Sequence, residues 1–100
     1  MEKDLNYSEL FSEYKSLLTD NQKDVFELYY LCDLSLSEIS EIKGVSRQGV
    51  SDNLSKTREL LITYENNLGL LSKKKELLKV ASKLSGSKQK TELINLIGEL

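Results

Sequence analysis

Leu36-Ser37-Glu38-Ile39-Ser40-Glu41-Ile42-Lys43-Gly44-Val45-Ser46-Arg47-Gln48-Gly49-Val50, followed by Leu54, carries the pattern that decides the fold. Ser35 and Glu38 stand three residues apart, as a capping box requires, and open a helix of about two turns whose inward residues are Leu36, Ile39 and Ile42. Gly44 permits the left-handed turn that ends this helix, and Val45 anchors the turn. Ser46 caps the next helix, whose inward residues Val50, Leu54, Thr57, Leu61 and Tyr64 recur every three or four positions. Ser40 is the small residue where the two helices approach closely. A short helix, a glycine turn, a polar cap and a second helix clasping the first make a helix-turn-helix at residues 36–61.

Outward from this motif the periodicity predicts further helices. Leu10, Phe11, Tyr14, Leu17 and Leu18 form one buried stripe of a first helix over Leu5 to Leu18. Thr19 and Gln22 make another capping box, opening a second helix with Val25, Phe26, Leu28, Tyr29, Tyr30, Leu31 and Cys32, apolar on most sides and therefore central. Cys32 is read as a small buried core residue, since one cysteine makes no internal disulfide. The fourth helix runs to about Asn67, with Leu68-Gly69 as a break. A fifth carries Leu70, Leu71, Leu77, Leu78, Ala81 and Leu84 inward and the basic residues Lys73, Lys74, Lys75, Lys79 and Lys83 outward, and ends at Ser85-Gly86-Ser87. A last helix, Glu92 to Leu100, holds Leu93, Ile94, Leu96, Ile97 and Leu100, more apolar surface than a lone helix tolerates in water.

Composition agrees with an all-α protein: 100 residues, 39% hydrophobic, with 5 Gly and 0 Pro, leave little punctuation for strands. The expected organisation is a helical domain over 1–68 with a C-terminal helical extension over 69–100, parts of one compact unit and the second of them the expected dimerisation element. No segment is apolar enough to insert in a membrane, and Met1-Glu2-Lys3-Asp4-Leu5 does not read as a leader, so a cytoplasmic location is expected. Residues 1–45 hold 4 Lys against 10 Asp and Glu, whereas 46–100 hold 10 Lys and Arg against 6, so anionic partners are steered toward the C-terminal part.

With 0 His, no cysteine pair and no phosphate-cradling glycine loop, the sequence points to no enzyme, metal or cofactor. The outer face of the fourth helix offers Arg47, Gln48, Ser51, Ser55, Lys56 and Arg58 to nucleic acid, with Gln48 suited to adenine and Arg47 to guanine or phosphate. Asp52 and Glu59 share that face, leaving residues 46–61 at a net +1, so one copy is expected to bind weakly. Lys73, Lys74, Lys75 and Lys79 form a second basic patch. Glu76 interrupts it and no aromatic anchors it to lipid, which favours structured RNA phosphates over a membrane surface. The same helices would also serve a pure protein-interaction module.

Ser46-Arg47-Gln48-Gly49-Val50-x-Asp52-Asn53-Leu54-x-Lys56-Thr57, then Leu61, Tyr64, Glu65 and Leu68, preceded by Leu28-Tyr29-Tyr30-Leu31 and Leu36-Ser37-Glu38-Ile39, resembles sigma-factor region 4 and, more closely, the YlxM family of small bacterial proteins. The similarity covers roughly residues 17–68. It implies a helical bundle with a sigma-region-4-like helix-turn-helix, and a regulatory or accessory role in the signal recognition particle pathway. The partners it implies are DNA or the particle's RNA, with the particle's proteins and a second copy of the chain beside them; a sigma-like transcriptional regulator is the alternative. Two residues depart from the family pattern. Gly49 replaces the usual alanine, which should loosen the fourth helix at its start, and polar Lys43 takes a normally apolar position, with Ile42 compensating.

Overall fold

The computed structural model describes residues 5–83 and 86–100, and among them it is all-helical. Six helices follow in order: α1 Leu5–Tyr14, α2 Asp20–Phe26, α3 Leu36–Lys43, α4 Arg47–Leu68, α5 Leu70–Ala81 and α6 Ser87–Gly98. A 3-10 turn, Lys15–Leu17, follows α1, and a π turn, Glu27–Leu31, continues α2. The expected inward place of Leu84, the expected stop at Ser85 and the N-terminal residues 1–4 lie outside the described residues.

The helix starts are local chemistry. Thr19 Oγ1 accepts the Gln22 N–H at 3.1 Å while Gln22 Oε1 accepts the Thr19 N–H at 3.0 Å. Ser35 and Glu38 repeat the reciprocal pair at 3.1 and 3.0 Å. Each box satisfies two of the N–H groups that a helix start leaves without backbone partners. Gly44 and Gly69 end α3 and α4 in the left-handed region, at φ 67° and 62°, where a side chain would be strained.

Helix α4 spans 22 residues, about 33 Å at 1.5 Å per residue, and is the axis on which α1, α2 and α3 pack. Two apolar clusters line it. Phe11, Tyr14, Leu18, Phe26 and Leu61 form one; Val25, Ile39, Val50 and Leu54 form the other, and half-buried Tyr30 touches both. Helices α5 and α6 pack on each other, and α5 also meets α1 and the end of α4. The molecule is elongated, 54 × 26 × 24 Å, with a radius of gyration of 16.9 Å, above the roughly 13 Å of a compact chain this long.

Several sequence expectations need correction. α1 ends at Tyr14 and the chain tightens into the 3-10 turn, which turns Leu17 out to 52% exposure instead of continuing the buried stripe. Cys32 is exposed and Leu31 is 62% exposed, so neither belongs to the core. The cause is the π turn: the Cys32 N–H bonds the Glu27 carbonyl five residues back at 2.9 Å, and the Leu34 N–H reaches the Leu28 carbonyl at 3.0 Å. One additional residue in the turn rotates the side chains after it away from a 3.6-residue pattern. Asp33, in the left-handed region at φ 56°, then turns the chain toward α3. Ile42 is 61% exposed and does not compensate for Lys43. Lys43 instead lays its stem against the domain and reaches Asp24 at 3.5 Å. Finally, α6 starts at Ser87, five residues before the expected Glu92.

Thr57 faces inward as expected, fully buried, but its hydroxyl has no hydrogen-bond partner. An unpaired buried hydroxyl costs about 1 kcal/mol or more. Thr57→Val keeps the branched shape and removes it, so urea denaturation should show a gain of about 1 kcal/mol. An equal loss would mean that the hydroxyl is hydrogen-bonded in solution.

Candidate nucleic-acid interface

The site is the solvent face of the first three turns of α4. Its backbone is set by Ser46, whose Oγ accepts the Gly49 N–H at 2.9 Å and starts the helix. α3 crosses behind it, with Ile39, Val50 and Leu54 fully buried at the crossing. This fixes Arg47, Gln48, Asp52, Ser55 and Lys56 on the exposed side of α4, with Ser51 half-buried at the margin.

The six candidate residues are not equivalent. Arg47 and Lys56 project into solvent with no intramolecular partner among the described residues. Gln48 Nε2 donates to Asp52 Oδ1 at 2.8 Å, an i,i+4 pair that occupies the amide and pulls the carboxylate toward it. A base edge would have to displace that bond. Arg58 is half-buried: its guanidinium donates to Tyr30 Oη at 3.2 Å and Ser55 Oγ at 3.3 Å, and it lies 5.9 Å from the Tyr7 ring centre. These contacts tie α4 to α1 and to the π turn, so Arg58 and Ser55 are structural members of the motif before they are contacts to a ligand. Nothing in the local sequence signals this, because Tyr30 and Tyr7 lie 28 and 51 positions away.

The second basic patch is divided in the same way. Lys74 reaches Glu13 at 3.1 Å, with the carboxylate only 9% exposed, and Lys75 reaches Glu9 at 2.7 Å. Both fasten α5 to α1, where the sequence places them on a free outer surface. Lys73 keeps only a long 3.8 Å pair with Glu76, and Lys79 has no partner among the described residues. The patch begins past the C-terminal end of α4, whereas Arg47 stands at its N-terminal end. Part of the charge asymmetry between the halves of the chain is thus consumed inside the molecule. Among the described residues no three His, Cys, Asp or Glu side chains converge as a metal ion would require, and no helix is long and apolar enough to cross a membrane.

Gly49 does not unwind the start of α4, since it is helical and its N–H is capped. A Cβ there would lie 3.2 Å from Ser46 Oγ, and its absence leaves the residue on the wall of a cleft of about 130 Å³ beneath the turn. Gln22 and Glu38 occupy the same helix position behind Thr19 and Ser35, and they carry side chains without losing the cap. Gly49→Ala should therefore raise stability by about 0.5 kcal/mol through helix propensity, read as a higher denaturation midpoint. A lowered midpoint would show that the cap hydroxyl cannot move aside.

The comparisons with known proteins agree with this architecture. A family model described as "Putative helix-turn-helix protein, YlxM / p13 like" matches residues 1–99. The chain is 45% identical over 104 aligned residues to the UPF0122 protein YlxM of Bacillus subtilis, covering 100% of this chain and 94% of that protein. It is 49% identical over 75 residues to a UPF0122 protein of Caldanaerobacter subterraneus subsp. tengcongensis, covering 75% of this chain and 64% of the relative. A UPF0122 protein of Mycoplasma capricolum is 48% identical over 84 residues, 84% of this chain and 74% of the relative. With a helix-turn-helix built as described and a family match over nearly its whole length, the chain belongs to the UPF0122 family of YlxM / p13-like helix-turn-helix proteins.

Proposed function

We propose that this protein is a non-enzymatic regulatory or accessory factor that binds nucleic acid through the outer face of α4. Arg47 and Lys56 contact phosphates, and Gln48 reads a base edge once released from Asp52. The observation that carries the reading is the pair Arg47 and Lys56, exposed on the helix that the turn projects and held by no carboxylate among the described residues. Asp52 and Glu59 on the same face keep the affinity of one copy low. A place in the signal recognition particle pathway, with its RNA or its proteins as partners, rests on the likeness to the YlxM family; a sigma-like regulator on DNA would use the same face.

Binding of labelled duplex DNA and of a structured RNA across a salt series tests this. Arg47→Ala/Lys56→Ala should lower affinity at least about tenfold and flatten the log–log salt slope by about 2, one unit per lost phosphate contact. Arg58 is left intact because its loss would disturb the fold. Unchanged binding in the double variant would move the interface off α4.

A second reading, a protein-interaction module, is favoured by the apolar residues left uncovered on α5 and α6: Leu77 at 45%, Val80 at 60%, Leu96 at 61% and Leu100 at 74% exposure. The two readings combine in a homodimer, which covers such surface and presents two copies of a weak recognition helix.

A further inference from the structure

Two uncovered apolar surfaces of opposite charge lie on the described chain. The first is a groove of about 270 Å³ between the π turn and α3, with Leu28, Cys32 and Ile42 as its apolar lining and Asp24, Glu27 and Lys43 around it. Ile42 is 61% exposed there, and Leu31, the residue before Cys32, is 62% exposed. Lys43 is spoken for by Asp24 at 3.5 Å. Glu27, together with Glu41 beside Ile42, leaves the surroundings acidic. No residue of α4 lines this groove.

The second surface is on α5. Lys73, Glu76, Leu77 and Val80 share one face of the helix, with Lys83 bordering it, so Leu77, which the sequence reading set inward, is turned out. Leu77 and Val80 are 45% and 60% exposed. Because Lys74 and Lys75 are engaged by Glu13 and Glu9, the lysines available to a partner are those on this outer side. Lys79 and Lys83 have no partner among the described residues. An apolar ridge whose edge, with Lys73, Lys79 and Lys83 against the one carboxylate Glu76, is net basic thus matches an apolar groove whose surroundings, with Asp24, Glu27 and Glu41 against Lys43, are net acidic.

We infer that the α5 face carrying Leu77 and Val80 docks in the π-turn–α3 groove of a second copy of this chain, and that the contact is reciprocal. The inference rests on the homodimer reading above and gives it a geometry. One helix face in one shallow groove covers less than the roughly 800 Å² per partner of a stable interface, and a two-fold pair makes the contact twice. The rise of the π turn, which brings Leu31 and Cys32 to the surface, is then the feature that builds the groove. The outer face of α4, which does not border it, stays open in both copies.

Light scattering on full-length protein, together with cross-linking, tests the geometry. Ile42→Asp and Val80→Asp, both at exposed positions, should each weaken the dimer at least about tenfold. Mixing the two variants should give pairs that are weaker than wild type but tighter than either variant alone, because both lesions then fall in one contact while the other, the groove of the Val80→Asp chain holding the face of the Ile42→Asp chain, is intact. In a Val80→Cys variant, a short bis-maleimide should join Cys32 of one chain to the new thiol of the other. A wild-type dimer that Val80→Asp disrupts and Ile42→Asp does not, with no recovery on mixing, overturns the groove and leaves the dimer standing. A wild type that stays monomeric at all concentrations overturns both.

Discussion

Phe26→Ala should cost about 3–5 kcal/mol, a large share of what holds the domain together. Phe26 is 0% exposed and its ring is stacked between two others, Phe11 at 4.2 Å and Tyr30 at 4.3 Å between ring centres. Phe11 belongs to α1 and Tyr30 to the π turn, so this stack is where the N-terminal helix meets α2 and the turn that leads into the helix-turn-helix. Aromatic pairs add about 0.5–1.5 kcal/mol each to plain area burial. Removing the middle ring therefore loses transfer energy, leaves a cavity and breaks two pairs at once. Against a total of about 5–15 kcal/mol for a domain, the variant should be largely unfolded or lack a cooperative thermal transition in circular dichroism. Phe26→Leu, which fills most of the space and loses only the stacking, should keep a cooperative transition at a lower midpoint. A Phe26→Ala protein with nearly wild-type stability would show that this stack is not the junction of the core.

The same region marks what the sequence reveals and what it conceals. The capping pairs Thr19–Gln22 and Ser35–Glu38, the glycine turns and the inward series Val50, Leu54, Thr57 and Leu61 are readable because each depends on residues within a few positions of one another. The π turn is not. Its cause lies in packing, with Phe26 and Tyr30 drawn onto Phe11 and Tyr7 of another helix, and no 3.6-residue count anticipates the added residue that turns Cys32 outward. The candidate interface divides along the same line. Arg47 and Lys56 stand where the period places them, whereas the engagement of Arg58 by Tyr30, and of Lys74 and Lys75 by carboxylates 61 and 66 positions away, needs the tertiary fold. Long-range pairs between charged side chains leave no periodic trace, so a run of lysines reads as free surface until its partners are placed.

Glu65→Ala should cost about 2–3 kcal/mol and loosen the start of α5 without dismantling the helix-turn-helix. Helix α5 has no capping side chain at its N-cap, which is Gly69. Its first N–H groups are satisfied from elsewhere: Leu70 donates to Tyr14 Oη at 3.0 Å, Leu71 to Glu65 Oε1 at 3.1 Å and Ser72 to Glu65 Oε2 at 3.1 Å. Tyr14, fully buried in α1, in turn donates its hydroxyl proton to Glu65 Oε1. One carboxylate thus caps α5, favourably placed at a helix N-terminus, and ties it to α1. Removing it strands two amide donors and a buried phenol, each of which loses a charge-assisted partner. Amide exchange at Leu71 and Ser72 should quicken while that at Leu54 stays slow; equal acceleration at both would mean that α5 is not separately secured. Glu65→Gln keeps one acceptor oxygen and should lose about half as much. Tyr14 gives the junction a pH signature. Burial first, and then the Glu65 carboxylate, hold its hydroxyl above the ordinary value of 10.0. The folded state therefore keeps a proton that the unfolded chain releases above about pH 10, so this contribution is whole below that pH and is lost as pH rises toward the folded value. Tyr14→Phe should lower stability at neutral pH and flatten the alkaline decline; a decline as steep as wild type would assign it to other groups.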